Sequence, residues 1–291
     1  MAHDTFVCGD LTAVIGDNAE SGAHRAGYNG LWSLKHRTGK ESLFVPAYAG
    51  MNHEHIFDGH ADFAPEVIFE PRHAAMRLEK ISPTEAELHQ PPTPHFHLES
   101  RTRLKLVEPH YVDFAYRCRP QQHAFQYGYI GLFWASYING PDDKSMYFRG
   151  GLRREPARWV QLCTPRHNDE STTVHRDDKT DLRFREGFRD TLFKNLSPLV
   201  YELPFFYGLF QDHLCLLMFD RSAGIRLTHS PSGGGYHAAR ETTNPAWDFQ
   251  YVLASYEVGR EYGFNARLVL RERCSRGEVL EEYERWRKQA T

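Results

Sequence analysis

An all-β fold is what the sequence predicts: a large two-sheet antiparallel sandwich with a short C-terminal helix. Three observations predict it. Segments between recurrent Pro and Gly residues are short and alternate apolar with polar residues in period 2, as half-buried strands do. About fifteen such segments can be marked, more than a seven-stranded sandwich uses. No repeat, low-complexity linker or shift of composition divides the 291 residues, so one domain over 1–291 is expected.

The expected strands are 10–16, 29–36, 42–48, 74–81, 85–90, 95–107, 111–118, 128–138, 145–149, 158–163, 199–210, 213–219, 224–229, 247–254 and 262–270. Short links join 74–81 to 85–90 and 95–107 to 111–118, the pattern of adjacent hairpins. Pairing through the "EPH" turn sets Lys105 opposite Asp113. The nearly continuous apolar run "YGYIGLFWASYIN" reads as a central strand buried on both faces. At the C-terminus, "SRGEVLEEYERWRKQ" places Ser275 and Glu278 at capping-box spacing and Val279, Leu280, Tyr283 and Trp286 on one stripe. A helix docked on a sheet edge is expected there. Residues 165–196 are polar and weakly periodic, a long excursion of the kind that often carries function.

Composition narrows the class. Hydrophobic content of 41% and charged content of 25% suit a soluble globular protein, and a net charge of −3 offers nucleic acid no basic stripe. Cys8, Cys118, Cys163, Cys215 and Cys274 are scattered, which suggests reduced thiols in a cytoplasmic protein. The start "MAHDTFVCGD" lacks a signal-peptide pattern, and no run is apolar enough to span a bilayer as a helix. Seventeen His and 13% aromatic residues suit a polar site for sugar rings, and a large β core also takes up aromatic residues.

The opening "DLTAVIGDNAESGAHRAGYNGLWSLKHRTGKESLFVP" is similar in layout to the start of the galactose-mutarotase-like (aldose epimerase-like) proteins. It has a strand, a Gly-containing turn, a strand carrying "SL", then G-x-E-x-L. The run of hairpins that follows resembles that family's supersandwich. The resemblance implies the supersandwich fold and carbohydrate chemistry. The "NHPYFNL"-like histidine signature and the C-terminal glutamate motif of ordinary aldose epimerases are not matched.

Candidate site residues come from five stretches. In "TPHFHLESRTRLKLVEPHYVDFAYR", alternation sets His95, His97, Glu99 and Arg101 on one strand face, as a solvated face, a saccharide groove or a metal site. The H-x-H pairs His95/His97 and His53/His55 offer neutral imidazoles to a divalent transition metal, without the carboxylate spacing of the common metal signatures. No cofactor is expected, and such a metal is the alternative. In the excursion, which is a solvated loop or a site-building one, His167 is a candidate acid or base, and Lys194, beside Asn195, is a carboxylate binder or a snorkelling side chain. In "THSPSGGGYHAARETTNPAWDFQ", Gly233–Gly235 read as a flap between His229 and the pair Trp247 and Asp248, which are either an indole and carboxylate for a sugar or a core Trp and a turn Asp. Tyr137, with Asn139, stands at the end of the central strand, where it packs in the core or lines a cleft.

The expected groove has residues 95–101 as floor and 229–248 as wall. His97, with His95, His167 and His229 as further candidates, transfers protons. Asp248 holds sugar hydroxyls, Arg101 orients an oxygen or carboxylate, and Trp247 stacks on the ring. The expected function is a mutarotase- or epimerase-type isomerase. A glycoside-cleaving lyase or hydrolase and a non-catalytic saccharide-binding protein are the alternatives. The expected partner is a small-molecule or oligosaccharide substrate, with neither nucleic acid nor membrane.

Overall fold

The computed structural model describes residues 2–60, 64–189 and 191–290. Strands β1 (His3–Cys8), β2 (Leu11–Gly16) and β3 (Gly30–His36) form a small antiparallel sheet. The other strands, in chain order, are β4 (Asn52–Phe57), β5 (Arg77–Ser82), β6 (Glu85–Gln90), β7 (Leu98–Val107), β8 (Tyr111–Pro120), β9 (Ile130–Ala135) and β10 (Met146–Leu152). They continue with β11 (Arg158–Leu162), β12 (Thr172–His175), β13 (Leu196–Tyr201), β14 (Phe205–Phe210), β15 (His213–Phe219) and β16 (Ile225–Ser230). A two-residue ribbon, β17 (Tyr236–His237) and β18 (Thr242–Thr243), precedes β19 (Ala246–Leu253) and β20 (Tyr262–Glu272). The helices are α1 (Pro65–Ile68), α2 (Glu70–His73) and α3 (Arg276–Ala290).

One long sheet runs β4-β9-β19-β16-β12-β13-β10-β14-β15-β20-β8-β7-β6-β5, with β11 on β10. It folds back on itself, because β9 and β19 pack their aromatic side chains on those of β8 and β20. Trp134 stacks on Phe249 at 5.0 Å and meets Phe114 and Phe264 edge-on. The expected all-β layering is present, but the sheet is mixed rather than strictly antiparallel. β12 and β13 pair in parallel, which the traverse over residues 176–195 allows, since parallel neighbours need a long crossover.

The central run forms β9, buried on both faces as expected. The β7–β8 register sets Lys105 opposite Asp113, although the Asp113 carboxylate takes a two-pronged bond from Arg267 at 2.6 and 2.9 Å. Residues 42–48 form no strand; only a Phe44–Ile138 bridge occurs there. The expected strand 199–210 breaks into β13 and β14 around Pro204. β1, β4, β12, α1 and α2 were not foreseen.

At α3 the Ser275 N–H donates to Glu278 at 2.9 Å, and the Glu278 N–H returns to Ser275 Oγ at 3.3 Å. Val279, Tyr283 and Trp286 are buried against Phe205, Leu216, Met218 and Val269. The helix therefore covers the outer face of β14, β15 and β20 rather than an edge. Each of those apolar side chains contributes roughly 1.5–3 kcal/mol by leaving water.

Candidate functional site

The polar row does not begin where alternation placed it. Pro91, Pro92 and Pro94 keep the chain out of the ladder until Leu98. His95 and His97 lie in a turn, with His97 at φ 49°. The turn is held by α2, whose Glu70 accepts the N–H groups of His95 and Phe96. Glu99 accepts from His89 Nε2 and Gln121 Nε2 at 3.1 Å each, while Arg101 and Arg103 both reach Glu87 at 2.7 Å. Against the burial of Glu87, these two guanidinium groups hold its carboxyl below the usual range. The row is an ion-paired sheet face. No hydrogen bond or ion pair among the described residues joins it to residues 229–248.

His229 and Trp247 belong to the core. Cross-strand neighbours, they both donate to the Lys144 carbonyl at 2.8 Å. His229 Nδ1 takes the Thr164 N–H at 3.2 Å, and burial pushes its pKa down to about 4. The Trp247 ring covers Gly208, where a Cβ would meet it at 2.2 Å. The His53/His55 pair is likewise split, because a bulge at Glu54 shifts the register. His53 stacks on Trp134 inside the core at 4.8 Å and is pushed down to about 3 by burial. His55 faces Phe133 and Phe193 on the opposite side. Among the described residues no group of three or more His, Cys, Asp or Glu is arranged to hold a metal ion.

A different constellation forms where β4, β9 and β19 lie side by side. Asp248 sits on the face of β19 opposite Trp247, and its Oδ1 accepts the Ser136 N–H at 2.9 Å. The next residue, Tyr137, donates its hydroxyl to Glu54 at 2.7 Å. Glu54 also meets Arg72 at 3.3 Å, and the Arg72 guanidinium lies 4.2 Å over the Tyr28 ring. The Met51 N–H donates to Ser136 Oγ at 3.0 Å, and Met51 is held at φ 53°, a costly backbone for a side chain of its size. Tyr28, Tyr48 and Tyr137 close over this end, with Tyr48 centred 4.8 Å from Tyr28 and 5.0 Å from Tyr137.

Electrostatics separate the two carboxyl groups. Burial raises Asp248 well above the ordinary carboxyl range; the Ser136 bond opposes the shift and the nearby Glu54 charge adds to it. Burial also raises Glu54, but Arg72 and Tyr137 both work against it. His55 is pushed well below its usual pKa by burial and by the Arg72 charge, and neither ring nitrogen has a hydrogen-bond partner. Both effects favour the neutral imidazole.

The excursion 165–196 supplies a side wall. Thr172 donates to the Leu192 carbonyl at 2.5 Å, and Phe193 stacks on Phe57 at 3.9 Å. Gln250, one outward position along from Asp248, donates to Thr172 and Thr228 at 3.1 and 3.0 Å. His167 Nδ1 shares a hydrogen with Ser230 Oγ at 2.6 Å and lines an open cleft of about 670 Å³ with Arg166, Lys194 and Asn195. Lys194 Nζ reaches the Phe188 carbonyl at 2.9 Å. The glycine-rich flap crosses above: a Cβ at Gly234 would stand 2.8 Å from Asn244 and 3.3 Å from Tyr137.

Of the residues singled out from sequence, Asp248 and Tyr137 share this site, whereas His167 and Lys194 line the cleft with Arg166 and Asn195. His95, His97, Glu99 and Arg101 lie elsewhere, and His229 and Trp247 face the core. Sequence reasoning missed Glu54, His55 as a wall residue, Arg72, Tyr28 and Tyr48. A charged residue inside the otherwise aromatic and apolar strand "NHEHIF" was the available signal for Glu54.

No protein-family model matches the chain, and no curated protein matches it in sequence. Solved structures do match in fold. One is described as a candidate aldose 1-epimerase from Escherichia coli K12: 8% identity, TM-score 0.51, with 93% of this chain and 99% of that one covered. A GalM/aldose epimerase homologue from C. elegans matches at 8% identity and TM-score 0.53, over 93% and 99% of the two chains. A heparinase III matches at 11% identity and TM-score 0.50, over 94% of this chain and 35% of its own. At such identities the likeness establishes the fold, which is the one these aldose epimerase homologues share.

Proposed function

We propose that the chain is a carbohydrate-active enzyme of mutarotase or epimerase type, with Asp248 and Glu54 as its acid–base pair. One observation carries the proposal: two buried carboxyl groups flank the Ser136–Tyr137 segment in unlike surroundings. Asp248 meets one backbone N–H and no cation among the described residues, whereas Glu54 meets Arg72 and a phenol. Burial raises both carboxyl groups, and Arg72 and the Tyr137 hydroxyl oppose the shift at Glu54 alone; in this reading the proton rests on Asp248 and the negative charge on Glu54.

Anomer exchange needs that division of labour. Glu54 takes the proton of the anomeric hydroxyl as Asp248 gives its own to the ring oxygen. The bond from the anomeric carbon to the ring oxygen breaks and an open-chain aldehyde forms. Reclosure on the other face returns both protons. The tyrosine rings offer apolar faces to sugar C–H groups, and the fold likeness to aldose epimerase homologues supports the substrate class. Asp248 is only 2% exposed, so a sugar reaches it when the flap over Gly233–Gly235 lifts.

The test is anomer exchange across a panel of aldoses, followed by NMR. Wild type is expected to accelerate exchange for at least one of them, and Asp248→Asn to lose roughly 10²–10⁴ of that rate. Binding without conversion would leave a saccharide-binding protein, and cleavage of glycosides without anomer exchange would favour a lyase or hydrolase.

A further inference from the structure

β16 carries a cation in the middle of the long sheet. Arg226 stands between Val174 of β12 and Gln250 of β19 and is only 2% exposed. Its contacts fall short of what a buried guanidinium needs. Nη2 donates to the Thr180 carbonyl at 3.4 Å, the Asp178 carboxylate stops 3.7 Å away, and Nε has no hydrogen-bond partner among the described residues. Arg267 shows the completed alternative, with two bonds of 2.6 and 2.9 Å to the Asp113 carboxylate.

Asp178 is kept from closing that gap by its own turn, since its Oδ1 accepts the Thr180 N–H at 2.8 Å. Burial works against the Arg226 charge, and Asp178 is the main support for it. The two residues that Arg226 touches are also walls of an open cleft of about 630 Å³, between residues 177–180, residues 222–224 and the chain leaving β19. That is the size of a small-molecule site. Asp177, Ser222 and Ser255 line it with hydrogen-bonding groups. Lys179, also in its lining, is exposed and makes no hydrogen bond or ion pair among the described residues.

We infer that this cleft binds a sugar acid, whose carboxylate takes the place beside Arg226 that Asp178 half fills. The sugar in this inference rests on the carbohydrate reading above, and the acid rests on Arg226. A guanidinium fork accepts a carboxylate through two parallel bonds. A free carboxylate can approach Nε and Nη2 together, which the tethered Asp178 cannot. Entry displaces one surface turn, residues 177–180. Lys179 adds a second positive charge at the opening, and Asp177, Ser222 and Ser255 offer partners to ring hydroxyls.

The experiment titrates glucuronate, galacturonate, the matching neutral hexoses, glucose 6-phosphate and acetate into the full chain. Calorimetry gives Kd, the backbone amide signals of Gly224 and Val252 report where the ligand sits, and anomer exchange is followed on the same sugars. Wild type is expected to bind one uronate about tenfold or more tightly than its neutral hexose, with both amide signals moving. Arg226→Gln should abolish that preference. Asp178→Asn removes the competing carboxylate, so it should tighten the uronate about 3- to 10-fold and leave the hexose within about twofold. A merely structural contact between Arg226 and Asp178 gives no such gain. Asp178→Asn decides the matter if Arg226→Gln fails to fold. Equal affinity for uronate and hexose, or a uronate bound no more tightly by Asp178→Asn, overturns the site. So does binding of glucose 6-phosphate or acetate while no uronate binds. A uronate preference with no anomer exchange on any sugar leaves this site standing and removes the acid–base reading. Anomer exchange with no uronate preference does the reverse.

Discussion

Tyr137 gives its phenolic hydrogen to Glu54 across 2.7 Å, and the residue before it gives its backbone N–H to Asp248. Two consecutive residues beyond β9 thus fix two carboxyl groups on the strands that flank it, β4 and β19. Tyr137→Phe removes a donor from a buried carboxylate, which should cost about 1–3 kcal/mol of stability and raise the Glu54 pKa further. Denaturant unfolding of the two proteins checks the first effect.

Asp248 makes the protein less stable as pH rises. Its folded pKa lies above the unfolded value, so its contribution is fully present below about pH 4 and declines through the folded pKa, at roughly 1.4 kcal/mol per pH unit. Asn at this position keeps an acceptor for the Ser136 N–H without the proton debt. Asp248→Asn should match wild type near pH 4 and exceed it in stability at pH 7, while losing activity. Unfolding curves at several pH values decide it.

Buried histidines act in the opposite direction. His53 and His229 are depressed to about 3 and about 4, so the stability they contribute is present above about pH 6.5 and falls as acid approaches those values. Denaturant midpoints should fall between pH 7 and pH 4, and His229→Gln should flatten that limb.

Trp247 and His229 should behave as core residues. Trp247→Ala should cost about 3–5 kcal/mol. Gly208→Ala should also be strongly destabilising, because the new methyl would meet the Trp247 ring at 2.2 Å. His97→Asn, by contrast, keeps a residue tolerant of positive φ and should leave turnover within twofold. A large loss of activity with normal folding in that variant would return His97 to the chemistry.

The architecture was legible where the local pattern reports on burial. Period-2 alternation marked the hairpins β5–β6 and β7–β8, an apolar run marked β9, and Ser275 with Glu278 marked α3. The site was less legible, because it depends on devices with no periodic signature. The bulge at Glu54 undoes the alternation that would have set His53 and His55 on one face. Arg72 reaches Glu54 only through the turn of α2. The proline-rich entry to β7 removed His95 and His97 from a row that spacing alone had included. Asp248 could be picked out, but not which side of β19 faced the core.

The central claim is that Asp248 holds a proton at neutral pH beside an ionised Glu54. Carboxyl-¹³C NMR measures this directly, with the two signals assigned by their loss in Asp248→Asn and Glu54→Gln. The expected result is an Asp248 carbon still at its protonated shift at pH 7 while the Glu54 carbon is already at its ionised shift. An Asp248 signal that titrates in the ordinary carboxyl range, near pH 4, would contradict the assignment of acid and base.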